Sequence, residues 1–109
     1  MEISWNDFEK IEIHTGTIIE AKVFEEARKP AYQLWIDFGI LGIRKTSAQI
    51  TKRYTTEALL GKQVVAVLNF PTKQIANFKS ECLLLGAVNG DEVTLICPDL
   101  PCENGLKIC

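Results

Sequence analysis

Residues 56–68 have the sequence TEALLGKQVVAVL, and this stretch decides the fold. Its first part combines the helix-forming run TEALL with Gly61, which ends helices because glycine adopts a left-handed backbone without strain. Its second part, Val64–Leu68, is a continuous apolar run rich in β-branched residues, which is typical of a strand buried on both faces. The stretch therefore predicts a short helix that leads into a central strand.

A long strand is predicted before this stretch, from Ile11 to Val23. Apolar residues recur there at every second position, which places Ile19 and Val23 on the buried face and His14 on the polar face. Gly16 predicts a bend or bulge in the strand. The pattern indicates a half-buried strand with one solvent face.

Four further segments have strand character, and they lie on both sides of the helix. They are residues 32–38, 42–47, 82–85 and 93–97, with a turn at 89–91 between the last two. Five or six strands with one helix after the third fit a small Greek-key barrel better than a sandwich. We therefore expect an all-β, five-stranded Greek-key OB-fold barrel over residues 1–109 as a single domain, since 109 residues suit one core and not two.

The two ends of the chain lack the alternation of the strands. Ser4 followed by Asp7 predicts a capped helix in an N-terminal extension over residues 1–10, with Trp5 and Phe8 on one edge. Residues 98–109 contain two prolines and a glycine, so they are expected to wrap the barrel as a tail. The short helix cannot hide an exposed Trp edge by itself, and either a second copy or the chain's own barrel could cover it.

Positive charge is concentrated in one segment. Between Arg44 and Lys79 lie seven of the twelve basic residues and only one of the fourteen acidic residues, although the whole chain has a formal net charge of −2. A positive surface on an otherwise acidic molecule can attract a polyanion. A solvated face that only maintains solubility is the simpler alternative.

Catalytic and metal-binding chemistry find little support in the sequence. His14 is the only histidine, no serine lies in a nucleophile-elbow context, and Cys82 precedes three leucines as core residues do. Cys97, Cys102 and Cys109 lack a second tight pair or a histidine to complete a zinc site. We expect no enzyme, no cofactor and no metal. The N-terminal sequence lacks the features of a signal peptide and no apolar run could span a membrane, so a cytoplasmic protein with thiol cysteines is expected.

Many residues of the basic segment, and others along nearly the whole chain, resemble the CsaA family of secretion-related chaperones. This family lies within the wider class of tRNA-binding domains appended to aminoacyl-tRNA synthetases. The matching stretches include 47–51, 61–64, 69–71 and 78–81, and outside the segment 7–10, 15–18, 36–39 and 104–108. Asn77 and Leu83 depart from the tRNA-binding class, which usually has glycine and methionine there, in a way that is typical of the CsaA branch.

The resemblance implies a non-catalytic OB barrel that forms a homodimer through terminal extensions. It implies two kinds of ligand: tRNA or other structured RNA, and unfolded or export-bound polypeptides together with the secretion machinery. The positions that match the tRNA-binding pattern directly are Ser47, Asn69, Lys73, Ser80 and Glu81.

The predicted sites combine the resemblance with the chemistry of the side chains. Basic side chains serve phosphates and aromatic side chains stack on bases or pack on apolar polypeptide, although core packing is the alternative for Phe70 and Phe78. The predicted RNA-binding residues are Arg44, Lys45, Ser47, Lys52, Arg53, Asn69, Lys73, Lys79 and Ser80. Trp35, Phe70 and Phe78 are predicted to contact polypeptide, and Trp5 and Phe8 to form the dimer interface. The leading hypothesis is a chaperone, and the alternative is a protein whose main ligand is structured RNA.

Overall fold

A computed structural model describes all 109 residues, and its centre is a nearly closed antiparallel barrel. Five strands form the main sheet in the order β3-β2-β1-β4-β7, and two hairpins, β5–β6 and β8–β9, extend it. The strands are β1 Ile13–Val23, β2 Tyr32–Asp37, β3 Ile43–Ala48, β4 Gln63–Val67, β5 Lys73–Ile75, β6 Phe78–Ser80, β7 Leu83–Leu84, β8 Gly86–Asn89 and β9 Glu92–Leu95. The helices are α1 Trp5–Glu9 and α2 Thr56–Leu59, with a 3-10 turn at Gly39–Leu41. The predicted fold class is confirmed.

The opening stretch behaves as its sequence predicts. The Thr55 hydroxyl caps α2 by accepting the Ala58 N–H at 3.1 Å, and Gly61 follows the helix with a φ of 81°. The next strand, β4, is the most deeply buried of the barrel, with Val64 and Ala66 fully enclosed. The helix α2 leads directly into β4. Its buried residue Leu59 packs in the hydrophobic core, so the helix closes the end of the barrel.

The long strand β1 differs from its prediction. Ile18 is fully buried, whereas Ile19 and Val23, which were predicted for the buried face, are exposed. The register shifts between Ile18 and Glu20, and the extra residue of this β-bulge brings Ala21 onto the core side together with Ile18. Val23 is exposed at the end of the strand despite this shift. Gly16 is not the bulge: a Cβ at this position would lie 2.7 Å from Ile36 and the Phe38 ring, so glycine permits close packing here.

His14 is another correction, since it is buried and not on a solvent face. Its Nδ1 lies 3.1 Å from the Gly105 carbonyl oxygen and its Nε2 lies 3.0 Å from a Glu12 carboxylate oxygen. The contact with Gly105 helps to hold the C-terminal tail against β1.

The C-terminal tail lies along the first half of β1. The backbone N–H of Thr15 donates to the Leu106 carbonyl at 3.0 Å, and the N–H of Ile108 donates to Ile13 at 2.8 Å. Gln63 adds a two-way hydrogen bond with the backbone of Cys102. The tail thus pairs with the part of β1 that β2 does not reach, as the wrapped tail of the prediction requires.

The N-terminal helix α1 carries the predicted capping box. The Ser4 hydroxyl accepts the Asp7 N–H at 3.0 Å, and the Asp7 carboxylate accepts the Ser4 N–H at 3.1 Å. No residue of α1 is buried, and Trp5 is 86% exposed. No helix in the protein has the length and apolar character that a membrane span requires.

Candidate ligand-binding groove and basic hairpin

Five of the seven basic residues in the 44–79 segment contact partners within their own molecule. These are the engaged cations, and each has a measurable partner. Arg44 donates to the Leu68 carbonyl at 2.8 Å, Lys45 lies 5.0 Å above the Phe78 ring, Lys52 forms a 3.6 Å ion pair with Asp91, Arg53 donates to the Thr94 hydroxyl at 2.8 Å and Lys62 lies 6.0 Å above the Tyr54 ring. Their charge is therefore partly used inside the fold.

The other two basic residues of the segment, Lys73 and Lys79, are exposed and make neither an ion pair nor a hydrogen bond through their side chains. They lie on opposite strands of the β5–β6 hairpin, where Lys73 pairs with Ser80 and Lys79 pairs with Gln74. This short antiparallel hairpin was not predicted from the sequence. Because these two pairs are adjacent in the hairpin, Lys73 and Lys79 lie on its opposite faces.

A groove of about 1080 Å³ runs between this hairpin, the end of β3 and the β7–β8 segment. Apolar side chains that also belong to the core, including Ile50, Leu84 and Leu95, form much of its lining. Lys73 lies on one wall. Arg28 and Lys29, from the loop between β1 and β2, also line it, and Glu26 is the only carboxylate among the lining residues.

Arg28 and Lys29 were missed by the sequence prediction, since they lie outside the basic segment. Neither makes an ion pair or a side-chain hydrogen bond. With Lys73 and Lys79 they form a set that we call the free cations. The fold brings Arg28, Lys29 and Lys73 to one groove, whereas Lys79 is not part of its lining.

Ser47, Ser80 and Glu81 lie together where β3 meets the strand segment that precedes β7. The Ser47 N–H donates to the Ser80 hydroxyl at 2.9 Å, and the Lys45 N–H donates to the Glu81 carboxylate at 3.0 Å. The Glu81 N–H in turn donates to the Lys45 carbonyl at 2.8 Å. Along the edge of β3, backbone N–H groups thus donate to side-chain oxygens of Ser80 and Glu81, where a paired strand would offer backbone carbonyls. Through these hydrogen bonds Ser47, Ser80 and Glu81 close the barrel.

Asn69 also has a structural role in this structure. Its side-chain amide donates to the Lys10 carbonyl at 2.7 Å, and its carbonyl oxygen accepts the Glu12 N–H at 3.0 Å. Both bonds tie the segment after α1 to the end of β4. One N–H and one lone pair of this amide are therefore used within the protein, and the second N–H is not, so a hydrogen bond from exposed Asn69 to RNA stays a prediction.

The three predicted aromatic contacts differ in accessibility. Phe78 is buried, with 6% of its surface exposed, because it packs on Phe24 with ring centroids 5.4 Å apart and on Trp35 at 5.9 Å. Its predicted polypeptide contact is therefore not available. Trp35 is half-buried with Lys22 5.3 Å from its ring, whereas Phe70 lines the groove and is 57% exposed. Phe70 is the aromatic side chain that the groove offers most fully.

The nucleophile and metal candidates do not assemble into a reactive site. Burial raises the pKa of the Cys82 thiol to about 12, which keeps it protonated at neutral pH. Cys97, Cys102 and Cys109 are exposed free thiols, and no three His, Cys, Asp or Glu side chains come together as metal ligands would.

Comparison with known proteins gives the class that this fold and groove define. The family model described as "Putative tRNA binding domain" matches residues 13–107. A methionine–tRNA ligase from Pyrococcus abyssi is 34% identical over 108 residues, which is 99% of this chain but 15% of the ligase. The chain thus corresponds to a small part of that enzyme, and its class is a tRNA-binding domain on an OB barrel.

Two solved structures narrow the class further. The crystal structure of chaperone CsaA from Bacillus anthracis str. Ames has a TM-score of 0.96 and 48% identity, with full coverage of both chains. The CsaA chaperone protein from Picrophilus torridus has a TM-score of 0.93 and 53% identity over 99% of this chain and all of that one. The chain belongs to the CsaA family, as the sequence resemblance implied.

Proposed function

We propose that this chain is a non-enzymatic, homodimeric, cytoplasmic protein that acts as a chaperone for unfolded or export-bound polypeptides. The observation that carries the proposal is the groove, whose lining combines apolar side chains with three of the free cations, Arg28, Lys29 and Lys73. Apolar lining suits the exposed side chains of an unfolded chain, and burial of such side chains contributes about 25 cal/mol for each Å² removed from water. The names of the two CsaA relatives support the same role. Contacts with secretion machinery are part of this proposal, on the resemblance alone.

The proposed homodimer is supported by apolar residues that nothing covers in the single chain. Ile3 precedes α1, Trp5 is its first residue and Leu106 lies on the tail, and all three are exposed. The Lys107 ammonium donates to the Glu9 carbonyl at 3.1 Å, so the end of α1 and the tail are neighbours. A two-fold interface over this surface would cover the Trp edge on both copies, with Phe8 at its margin. Sedimentation of the Trp5→Glu variant as a monomer is the expected result, and an unchanged dimer would contradict this interface.

The chaperone proposal is tested by the aggregation of a denatured client protein at stoichiometric amounts of this chain. Phe70→Ser should lose most of the protection, because it removes the most exposed aromatic side chain of the groove. Leu60→Ser is the matched control: Leu60 is 53% exposed, similar to the 57% of Phe70, but it does not line the groove. No protection by the unmodified protein at several-fold excess would remove the chaperone proposal.

RNA binding is the second candidate function, with tRNA or another structured RNA as the ligand. Its supporting observation is the β5–β6 hairpin, where Lys73 and Lys79 project without partners in a chain whose family model is a tRNA-binding domain. Because phosphate contacts release counterions, tRNA affinity should fall steeply as salt concentration rises. A flat salt response would exclude this electrostatic mechanism.

A further inference from the structure

The β7 and β8 strands follow one another along the chain, and their backbone groups point alternately to two opposite edges. The Leu85 N–H donates to the Val65 carbonyl of β4 at 3.1 Å, and the Leu85 carbonyl accepts the Ile96 N–H, next to β9, at 3.2 Å. In an antiparallel strand the N–H and C=O of alternate residues point to opposite edges. Residues 83, 85, 87 and 89 therefore face β4 and β9, whereas Leu84, Gly86 and Val88 direct their backbone groups to the other edge.

No strand of the protein pairs with that other edge. β7 is the last strand of the five-stranded sheet, and β8 belongs to a sheet of two. Leu84, Gly86 and Val88 all line the groove, and Val88 is 73% exposed. The groove is thus bordered by an open β-strand edge as well as by apolar side chains.

The sequence of this edge lacks the features by which proteins prevent unwanted strand pairing. Residues 82–90 are CLLLGAVNG, with no charged residue and no proline. Natural sheets usually protect an exposed edge with lysine, proline or a bulge, because unpaired backbone groups are a template for another strand. Ser80 and Glu81 accept hydrogen bonds from the edge of β3 in the same molecule. The β3 edge of the groove is therefore occupied, whereas the β7–β8 edge is open.

We propose that the β7–β8 edge binds an extended polypeptide segment as an added β-strand, with alternate apolar side chains against the groove lining and acidic residues near its ends. The backbone groups of Leu84, Gly86 and Val88 supply the pairing, which is independent of the ligand's sequence. Arg28, Lys29 and Lys73, opposed by Glu26 alone, supply the preference for acidic flanks. This mode of binding rests on the proposed polypeptide function and specifies which segments the groove accepts.

The first test uses the unmodified protein and short synthetic peptides. The probe alternates valine and threonine between terminal aspartates, and two matched peptides carry either terminal lysines or N-methyl groups on alternate backbone nitrogens. The aspartate peptide should bind most tightly, and it should slow amide hydrogen exchange at Leu84, Gly86 and Val88 by about tenfold or more. The N-methylated peptide should not bind, since it cannot pair with the edge.

A pair of variants separates the backbone contribution from the side-chain contribution. Val88→Pro removes one edge N–H and no ladder bond to β9, a position where proline is tolerated. Val88→Ala keeps that N–H but removes two side-chain carbons, whereas proline has as many side-chain carbons as valine, so weaker binding by the proline variant cannot come from lost apolar side chain. We expect the proline variant to bind the aspartate peptide about five- to tenfold more weakly than the alanine variant, as for the loss of one hydrogen bond.

The outcomes that contradict strand addition differ from those that contradict polypeptide binding. Equal binding of the plain and N-methylated peptides, without protection of the three amides, would overturn strand addition and leave polypeptide binding intact. Failure of denatured client and all peptides to bind would overturn both. If the three amides become protected as protein concentration rises without peptide, the edge pairs with a second copy of the chain. If only tRNA protects them, the edge binds RNA. Either result overturns the proposal.

Discussion

The engaged cations and the free cations have the same chemistry and very different surroundings. Arg44, Lys45, Lys52, Arg53 and Lys62 each contact a carbonyl, a hydroxyl, a carboxylate or an aromatic ring of their own molecule. Arg28, Lys29, Lys73 and Lys79 contact none of these through their charged groups. A charge-rich segment of the sequence therefore identifies a ligand-binding surface only when the basic side chains that already have partners within the protein are left out.

The largest effect is expected from reversing the free lysines of the hairpin. Lys73→Glu combined with Lys79→Glu should weaken tRNA binding roughly a thousandfold at low salt, because the two reversals change the charge by four units and each unit beside a polyanion contributes about 1 kcal/mol. The slope of log affinity against log salt should also fall by about two. Fluorescence titration over a range of salt concentrations measures both quantities.

The matched control for this experiment is Lys52→Glu with Arg53→Glu, which changes the net charge by the same amount at engaged cations. It should weaken tRNA binding far less. Equal losses in the two double variants would mean that RNA responds only to net charge, and the distinction between the two sets would fail. Chaperone protection should be largely retained in the hairpin variant because the apolar lining of the groove is unchanged, and only segments with acidic flanks should bind more weakly.

Stability should show the opposite dependence. Arg44 is half-buried and donates to the Leu68 carbonyl, and a hydrogen bond from a charged group contributes about 1.5–3 kcal/mol. Arg44→Met should therefore lower the free energy of unfolding by about 2 kcal/mol in urea titrations. Lys73→Met should change it by less than about 0.5 kcal/mol, as substitutions at exposed positions do. A greater loss of stability at Lys73 would reverse the assignment.

A smaller effect is expected at the seam of the barrel. Ser80→Ala removes the oxygen that accepts the Ser47 N–H, so it should destabilise the fold by about 1 kcal/mol. Its effect on tRNA affinity should be slight, because the hydroxyl is used within the protein. Denaturant unfolding and tRNA titration of the same variant check both statements. Normal stability with lost tRNA affinity would restore Ser80 to the RNA site.

The smallest effect concerns Glu12, whose carboxylate forms an ion pair with the Lys107 ammonium at 3.0 Å. Hydrogen bonds from His14, and then from Lys107, lower the pKa of this carboxyl below its ordinary value. A lowered folded-state pKa stabilises the protein above the unfolded pKa, and this contribution disappears as pH falls through the folded pKa. The stability difference between wild type and Glu12→Gln should therefore shrink on acidification below about pH 4. A difference that stays constant would exclude this ionic anchor.

Several parts of the fold were accessible from the sequence because local signals agreed with the final structure. The helix–Gly61–strand stretch, the alternation of β2 and the capping box of α1 all combine pattern with turn chemistry. The β1 bulge was not accessible, because no glycine marks the shift after Ile18. Ile18 and Ala21 both reach the core despite their odd separation, which the bulge alone permits.

The candidate site was only partly predictable for similar physical reasons. The β5–β6 hairpin turns at Ala76, whose φ of 50° is a position that glycine or asparagine usually occupies, so the turn signal was absent. Arg28 and Lys29 reach the groove through tertiary closure, which no local pattern records. The resemblance identified Ser47, Ser80 and Glu81 as important, but only the hydrogen bonds show that they close the barrel.

The most direct measurement is lysine acetylation footprinting of the unmodified protein, read by mass spectrometry with and without tRNA or a denatured client. The account predicts that either ligand protects Lys29 and Lys73 at the groove, and that tRNA also protects Lys79. Lys10, Lys52 and Lys107 should react at unchanged rates, because they lie outside the groove. Protection confined to Lys52, or to Lys10 and Lys107 beside the terminal extensions, would contradict the assignment of the groove as the binding surface.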